Sequence, residues 1–442
     1  MTTPGIRISD AVAPAPLSTT LPAILVLCGL SGLILLAPFA SILVPRALGA
    51  LPVVTAVVVV AAWMAEQRQL PPLDRGLLLA LSGFLLWAAA SALWALDPTF
   101  VGERVFKTAY LALCGLCLHA IVNSLPRTQR YRLALAGLGA FLLSSLFLLE
   151  ELYSNYALYR AVRGLDASAS IHLYVFNRAA VVLAVLVWPV TLTLSRLIGR
   201  WPALLLPLAV AGLILRTESQ SALVGMLTGM VVCGLGLGLP VRLVRRGLAV
   251  GMVLGALSAP WIAHGLHVWQ PSALANWHSA SGGERMEIWD AVSGRILEKP
   301  WFGWGLEAIR FMPDLIADNA VYMHGRPNTL HPHNGPLQVW VELGVVGVVA
   351  ALGIVLLLLR RIARLPDRPQ AMALATFATV AIMASISHGL WQSWWLGLIG
   401  VATIFVSLGT AAIAPDEPLP PPSTPHPPTP PSPPTSSLPA HA

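Results

Sequence analysis

Residues 328–347 read NTLHPHNGPLQVWVELGVVG. Two histidines and an asparagine stand directly before an apolar run that continues through 359. About 20 apolar residues are enough to carry a helix across a bilayer, and the run 336–359 meets that length. The rest of the chain repeats the pattern, with about twelve such runs near 22–44, 47–64, 77–95, 105–122, 132–152, 178–195, 201–216, 221–240, 247–263, 336–359, 370–388 and 394–413. Hydrophobic residues make up 56% of the 442 and charged residues only 11%, outside the range of soluble globular chains. The fold class expected is therefore all-α: a polytopic membrane protein of about 12 transmembrane helices with a large external loop containing short helices.

Arginine placement sets the expected orientation, because cationic side chains are retained in the cytoplasm. The second, fourth, sixth, eighth and tenth connections hold Arg68 and Arg75; Arg127, Arg130 and Arg132; Arg196 and Arg200; Arg242, Arg245 and Arg246; and Arg360, Arg361, Arg364 and Arg368. Those connections are assigned to the cytoplasm, which puts 153–177 and 264–335 outside. The net charge of +7 then reflects topology and gives no reason to expect nucleic acid.

The chain divides into a cytoplasmic leader (1–20), spans one to nine (21–263), the large external loop (264–335), spans ten to twelve (336–414) and a proline-rich cytoplasmic tail (415–442) expected to be disordered. No cleavage-site pattern follows the first span, which is expected to be retained. Cys28, Cys114, Cys117 and Cys233 all fall inside apolar runs. They imply small packing residues and no disulfide framework.

Polar chemistry concentrates in 264–335, which holds His264, His267, His278, His324, His331 and His333, six of the eleven histidines. Within it, GGERMEIWDAVSGRILEKPWFGWG predicts a helix from about Glu284 to Glu298, stopped by Pro300. Trp289, Val292 and Ile296 share one stripe, and Arg285 falls on the same stripe. An arginine there opposes the helix dipole and needs an anion; either a carboxylate elsewhere in the chain or a ligand phosphate would serve.

In HPHN, Pro332 extends His331, and Asn334 is a suitable N-cap for a helix that carries Gln338 and Glu342 into the membrane. His333 at that helix N-terminus should stay neutral and able to accept a proton. Solvated loop histidines are the alternative. The spacing of His331 and His333 matches no zinc motif, which leaves zinc as a minor alternative.

In combined order, Arg285 with IWDAVSGRILEKPWFGWG and then HPHNGPLQVWVELGVVG resembles the O-antigen ligase and polymerase superfamily of membrane glycosyltransferases. The resemblance covers most of 20–413. It implies transfer of a glycan from an undecaprenyl diphosphate carrier to an acceptor hydroxyl, with lipid A core as one acceptor, on the periplasmic face of the bacterial inner membrane. It also implies that His333 deprotonates the acceptor, that Arg285 neutralises the diphosphate, and that no metal or other cofactor is needed. On this reading Asn334, Gln338 and Glu342 orient the site, and His331 is a substrate-binding candidate.

One departure concerns a Thr-x-Ser-Arg pattern of the family, whose arginine position is Gln220 in RTESQSALVG. Arg216, four residues earlier, would lie on nearly the same helix face. Arg178 in FNRAAVVLAVLVWP is the second candidate, with interfacial snorkelling as the other use of either arginine. The rival functions are a polymerase, a protein O-oligosaccharyltransferase and, in another class, a transporter. Few ionisable groups sit at mid-span, which disfavours the last.

Overall fold

The computed structural model describes residues 20–166, 168–269, 280–312 and 331–413, with 280–284 by backbone only. The leader before Thr20, His278, His324 and the proline-rich segment 415–442 lie outside the described residues.

Among the described residues the fold is all-helical. The helices are α1 (Leu21–Leu43), α2 (Ala47–Gln67), α3 (Arg75–Ala90), α4 (Pro98–Ser124), α5 (Arg127–Tyr153), α6 (Ala157–Arg163), α7 (Asn177–Ile198), α8 (Arg200–Ala203), α9 (Leu205–Leu215), α10 (Gln220–Gly238), α11 (Val241–Leu257), α12 (Ala259–Trp269), α13 (Ala280–Glu298), α14 (Gly335–Ile362), α15 (Asp367–Ile386) and α16 (Ser393–Ile413). Short side chains set several starts. Asp74 accepts from Leu77 N at 2.9 Å, and Asp97 accepts from Phe100 N at 3.1 Å with Pro98 at the first helical position; each relieves a backbone N–H that has no helical partner.

Among the described residues ten helices are long and apolar enough to cross a membrane, so the chain is a multi-pass membrane protein. The two remaining runs of the expected twelve depart from simple spans. Arg200–Leu215 is short and broken at Leu204. The run near 247–263 belongs to α11 and α12, which meet at a 73° bend. Pro260 is the cause: it has no N–H for the carbonyl of Ala256, and the Trp340 indole N–H donates to that carbonyl instead, at 2.7 Å.

The centre of the bundle is α7, whose residues Ala179 to Thr193 are buried without interruption. Such a helix has no lipid-facing stripe and must be surrounded by protein. Small residues allow close approach elsewhere: Gly115 on α4 faces Gly400 on α16 with backbone in contact, the packing favoured where lipid offers no hydrophobic drive. Leucines such as Leu79 and Leu86 on α3 are exposed, as a lipid-facing surface requires.

A second core lies over one end of the bundle, where Ile288, Val292 and Ile296 of α13 pack with Leu306, Ile309, Leu337, Trp340 and Trp391. Its framework depends on a break in α14. Gly344 takes φ 64° and ψ −170°, a combination essentially confined to glycine, and the normal i to i−4 ladder fails on either side.

The loop 299–307 replaces it. Trp304 N donates to Val341 O at 2.8 Å, Gly305 N to Glu342 O at 2.8 Å, and Val345 N donates to Pro300 O at 2.9 Å. The indole of Trp87 donates to Leu343 O at 3.0 Å. Irregular backbone at this depth is tolerated where protein takes the freed groups, as it does these four.

Candidate active site

Helix ends converge over this second core. The starts of α4, α7, α10, α14 and α16 and the ends of α3 and α15 are joined by side-chain contacts: Leu306 N to Ser91 Oγ, Arg104 to Glu307, Arg178 to Trp394, Ser387 to Ser221, and His333 to Ser387. The opposite end carries the arginine-rich connections, including an ion pair between Arg361 and Asp74.

Asn334 caps α14 as expected, its Oδ1 accepting from Leu337 N at 3.1 Å with Pro336 in the first turn. The residue before it is strained: His333 has φ 55°, a left-handed conformation that costs a non-glycine residue on the order of 1 kcal/mol or more. What holds it is the end of α15. The last carbonyls of a helix have no helical partner, and His333 Nδ1 lies 2.6 Å from the carbonyl of Ser387 while Arg285 Nη1 donates to the carbonyl of Ile386 at 3.0 Å.

A carbonyl can only accept, so Nδ1 carries the proton and the lone pair sits on Nε2. Burial pushes His333 below the ordinary imidazole range, Arg285 adds to that, and the Ser387 carbonyl opposes it. His333 is therefore a neutral acceptor at Nε2.

Arg285 differs in one respect from expectation. α13 begins at Ala280, not Glu284, so Arg285 lies beyond the first turn and does not face the helix dipole head-on. Its guanidinium instead sits at the negative end of α15, a favourable place for a cation.

His331 stands edge-on to His333, with ring centroids 4.2 Å apart. The Gln392 amide donates to its Nε2 at 2.9 Å, and the Gln392 carbonyl accepts the Trp394 indole at 2.7 Å. Arg178 lies over the ring of Trp394, 5.2 Å from its centroid. His388 is held against Trp394 and Trp395, at 4.7 and 5.3 Å. Burial pulls both His331 and His388 down to about 3; Arg310 and Arg285 deepen the shift at His331, and Arg178 and Arg285 do so at His388. Three imidazoles and two candidate arginines thus share one neighbourhood.

Gln338 and Glu342 are each 1% exposed and act as a brace. Gln338 accepts from Leu390 N at 2.9 Å and donates to Glu342 at 3.0 Å, while the Trp391 indole donates to the other Glu342 oxygen at 2.6 Å. They fix the loop 387–392, and through it the Ser387 carbonyl.

Arg216 and Gln220 stand apart from this cluster. α9 ends at Leu215 and α10 begins at Gln220, so the two residues are not on one helix face as their spacing suggested. Arg216 lies over Tyr153, 5.8 Å from the ring centroid. α10 reaches the cluster one residue later, where Ser221 Oγ accepts from Ser387 Oγ at 2.9 Å.

The sequence reading missed Ser387, His388, Trp391 and Gln392, in SISHGLWQSWW, and the trio Arg104, Glu307 and Arg310. The first group interrupts two apolar runs with histidine, glutamine and tryptophans, a polar break of the same kind as HPHN. Among the described residues no cluster of three or more histidine, cysteine or carboxylate side chains is arranged to hold a metal ion.

Residues 203–352 match the family model described as O-antigen ligase, a span that takes in Arg285, His333 and the broken helix α14. Over that span, about a third of its length, the chain is similar to the O-antigen ligase family. It is also similar to proteins named as candidate polysaccharide ligases: one of Rickettsia conorii, 27% identical over 363 residues covering 76% of this chain and 83% of that protein; one of Rickettsia felis, 27% identical over 325 residues, 71% and 75%; and one of Rickettsia typhi, 25% identical over 324 residues, 71% and 76%. The chain outside the matched span, before Ala203 and from Gly353 onward, supplies Arg178 and the loop 387–392 to the cluster.

Proposed function

We propose that this chain is an inverting glycan ligase working at the periplasmic face of the inner membrane, with a polyprenyl diphosphate-linked glycan as donor and a hydroxyl acceptor such as lipid A core. The observation that carries this reading is the tautomer of His333, whose Nδ1 is committed to Ser387 and whose Nε2 is left basic beside arginines.

In the reaction the acceptor hydroxyl loses its proton to His333 Nε2, and its oxygen forms the new bond to the anomeric carbon. The bond from that carbon to the carrier's phosphate breaks on the opposite face, and the electron pair leaves with the diphosphate. Negative charge on the leaving group grows in the transition state, where guanidinium groups stabilise it; Arg285 and Arg178 supply them. Arg178 is preferred to Arg216 because it reaches the histidine cluster through Trp394. Asn334, Gln338 and Glu342 position the base.

The test is transfer by the purified protein from a polyprenyl diphosphate glycan, with EDTA present, to lipid A core or to none. Product on lipid A core, lost in His333→Ala, supports the ligase. A glycan that lengthens on its carrier makes the protein a polymerase, and wild-type rates in His333→Ala remove the base.

A further inference from the structure

Beside His331, on the flank marked by Arg310, lies a cleft of about 190 Å³, open solvent included, whose lining includes Arg104, Glu307, Arg310, His331, Gln338 and Gln392. Two guanidiniums share one carboxylate there. Arg104 Nε meets Glu307 at 2.6 Å, and Arg310 pairs with the other oxygen of Glu307. The Glu307 side chain is 4% exposed, so it is the fixed member that aims both arginines. Its backbone is at φ 62°, another left-handed non-glycine conformation.

Arg310 is held through Nε, and among the described residues its terminal nitrogens make no hydrogen bond; Arg104 gives one N–H to the Trp391 carbonyl at 2.9 Å. Phe100 supports them from behind, with ring centroid 6.0 Å from Arg104 and 5.4 Å from Arg310. Glu342, the other carboxyl nearby, is covered by Gln338 and Trp391 and does not line the cleft. The lining therefore presents two permanent positive charges and one negative, with an unspent planar fork matched to a phosphate or carboxylate.

His331 lines the cleft, and its ring centroid is 4.2 Å from that of His333.

We infer that the cleft formed by Arg104, Glu307 and Arg310 is an anion-binding acceptor subsite that grips a phosphate or carboxylate substituent on the acceptor glycan and delivers its hydroxyl to His333. The inference rests on the ligase reading above and adds a substrate requirement to it: the acceptor is anionic, and its charge is read at a different place from the donor's diphosphate.

The experiment measures two things on the full-length protein in lipid nanodiscs: binding of lipid A core by native mass spectrometry, and transfer kinetics. Lipid A core is used intact and after enzymatic removal of its phosphates. Loss of one charge-assisted contact, worth about 1.5–3 kcal/mol, predicts that Arg310→Gln weakens acceptor binding and raises acceptor KM about 10- to 100-fold, leaves donor KM in place, and erases the preference for the phosphorylated acceptor. Arg310→Lys should recover part of the affinity, since it restores charge without the fork.

Equal binding of intact and dephosphorylated acceptor by the wild type overturns the inference, and so does an Arg310→Gln effect confined to donor KM. Charge-dependent binding without transfer would sink the ligase reading while the subsite stands.

Discussion

With Nδ1 of His333 tied to the Ser387 carbonyl, the proposed mechanism leaves only Nε2 to take the acceptor's proton, and on that proposal the acid limb of the pH profile reports that atom. A base works deprotonated, so activity falls as pH drops through its pKa. Burial and Arg285 lower that value, so the limb in kcat/KM lies below the pH of about 6.5 typical of histidine; a limb at or above 6.5 would contradict the assignment. His331 and His388 bear on stability. Both are pulled down to about 3, so between pH about 6.5 and 3 the unfolded chain binds protons that the folded chain refuses, and stability falls with pH. Thermal unfolding in nanodiscs at pH 7 and 5 checks this, with the lower Tm expected at pH 5. His333, Arg285 and Asn334 were legible because polar groups at the mouth of an apolar run need an account. Ser387 was not, because it contributes a backbone carbonyl, which no side-chain pattern reveals.

The broken helix α14 makes its own demand. Alanine at Gly344 must hold φ near 64°, and its Cβ would run into the Trp301 carbonyl oxygen. The backbone conformation alone costs on the order of 1–3 kcal/mol, and the contact adds to it. Gly344→Ala should lower Tm and reduce the yield of folded protein, whereas Gly353→Ala, in open space on the same helix, should change neither. Thermal unfolding of the pair measures the difference. The brace can be tested more gently with Trp391→Phe, which keeps the ring and removes the N–H given to Glu342. The expected result is a fall in kcat of about ten-fold with a small change in Tm, from loss of one buried contact to a carboxylate. None of this break could be read from 336–359, a run that simply looks like one long span. Its determinants are upstream in PWFGWG, and the hydrogen bonds that link the two segments cross about 40 residues of chain.

For the molecule as a whole, the apolar runs and their order were legible, since length and hydropathy are local properties. The gathering of seven helix ends over one core was not, because helix packing in lipid depends on small contacts such as Gly115 against Gly400 that carry little sequence signal. The proposed orientation has a direct test. The four cysteines are all free and can be replaced, after which single cysteines at two exposed loop positions, Asp166 and Gln69, report their sides. Asp166→Cys should react with an impermeant maleimide in intact spheroplasts and Gln69→Cys only after lysis; the reverse pattern inverts the topology and moves the cluster to the cytoplasm.

The carbonyls that hold Arg285 and His333 come from Ile386 and Ser387, and the amide on His331 comes from Gln392. Every one is made later in synthesis than the group it fixes. During biogenesis, then, most of the helices and both key side chains are made before the segment that gives them direction. On the proposed mechanism, competence arrives with the final helix pair.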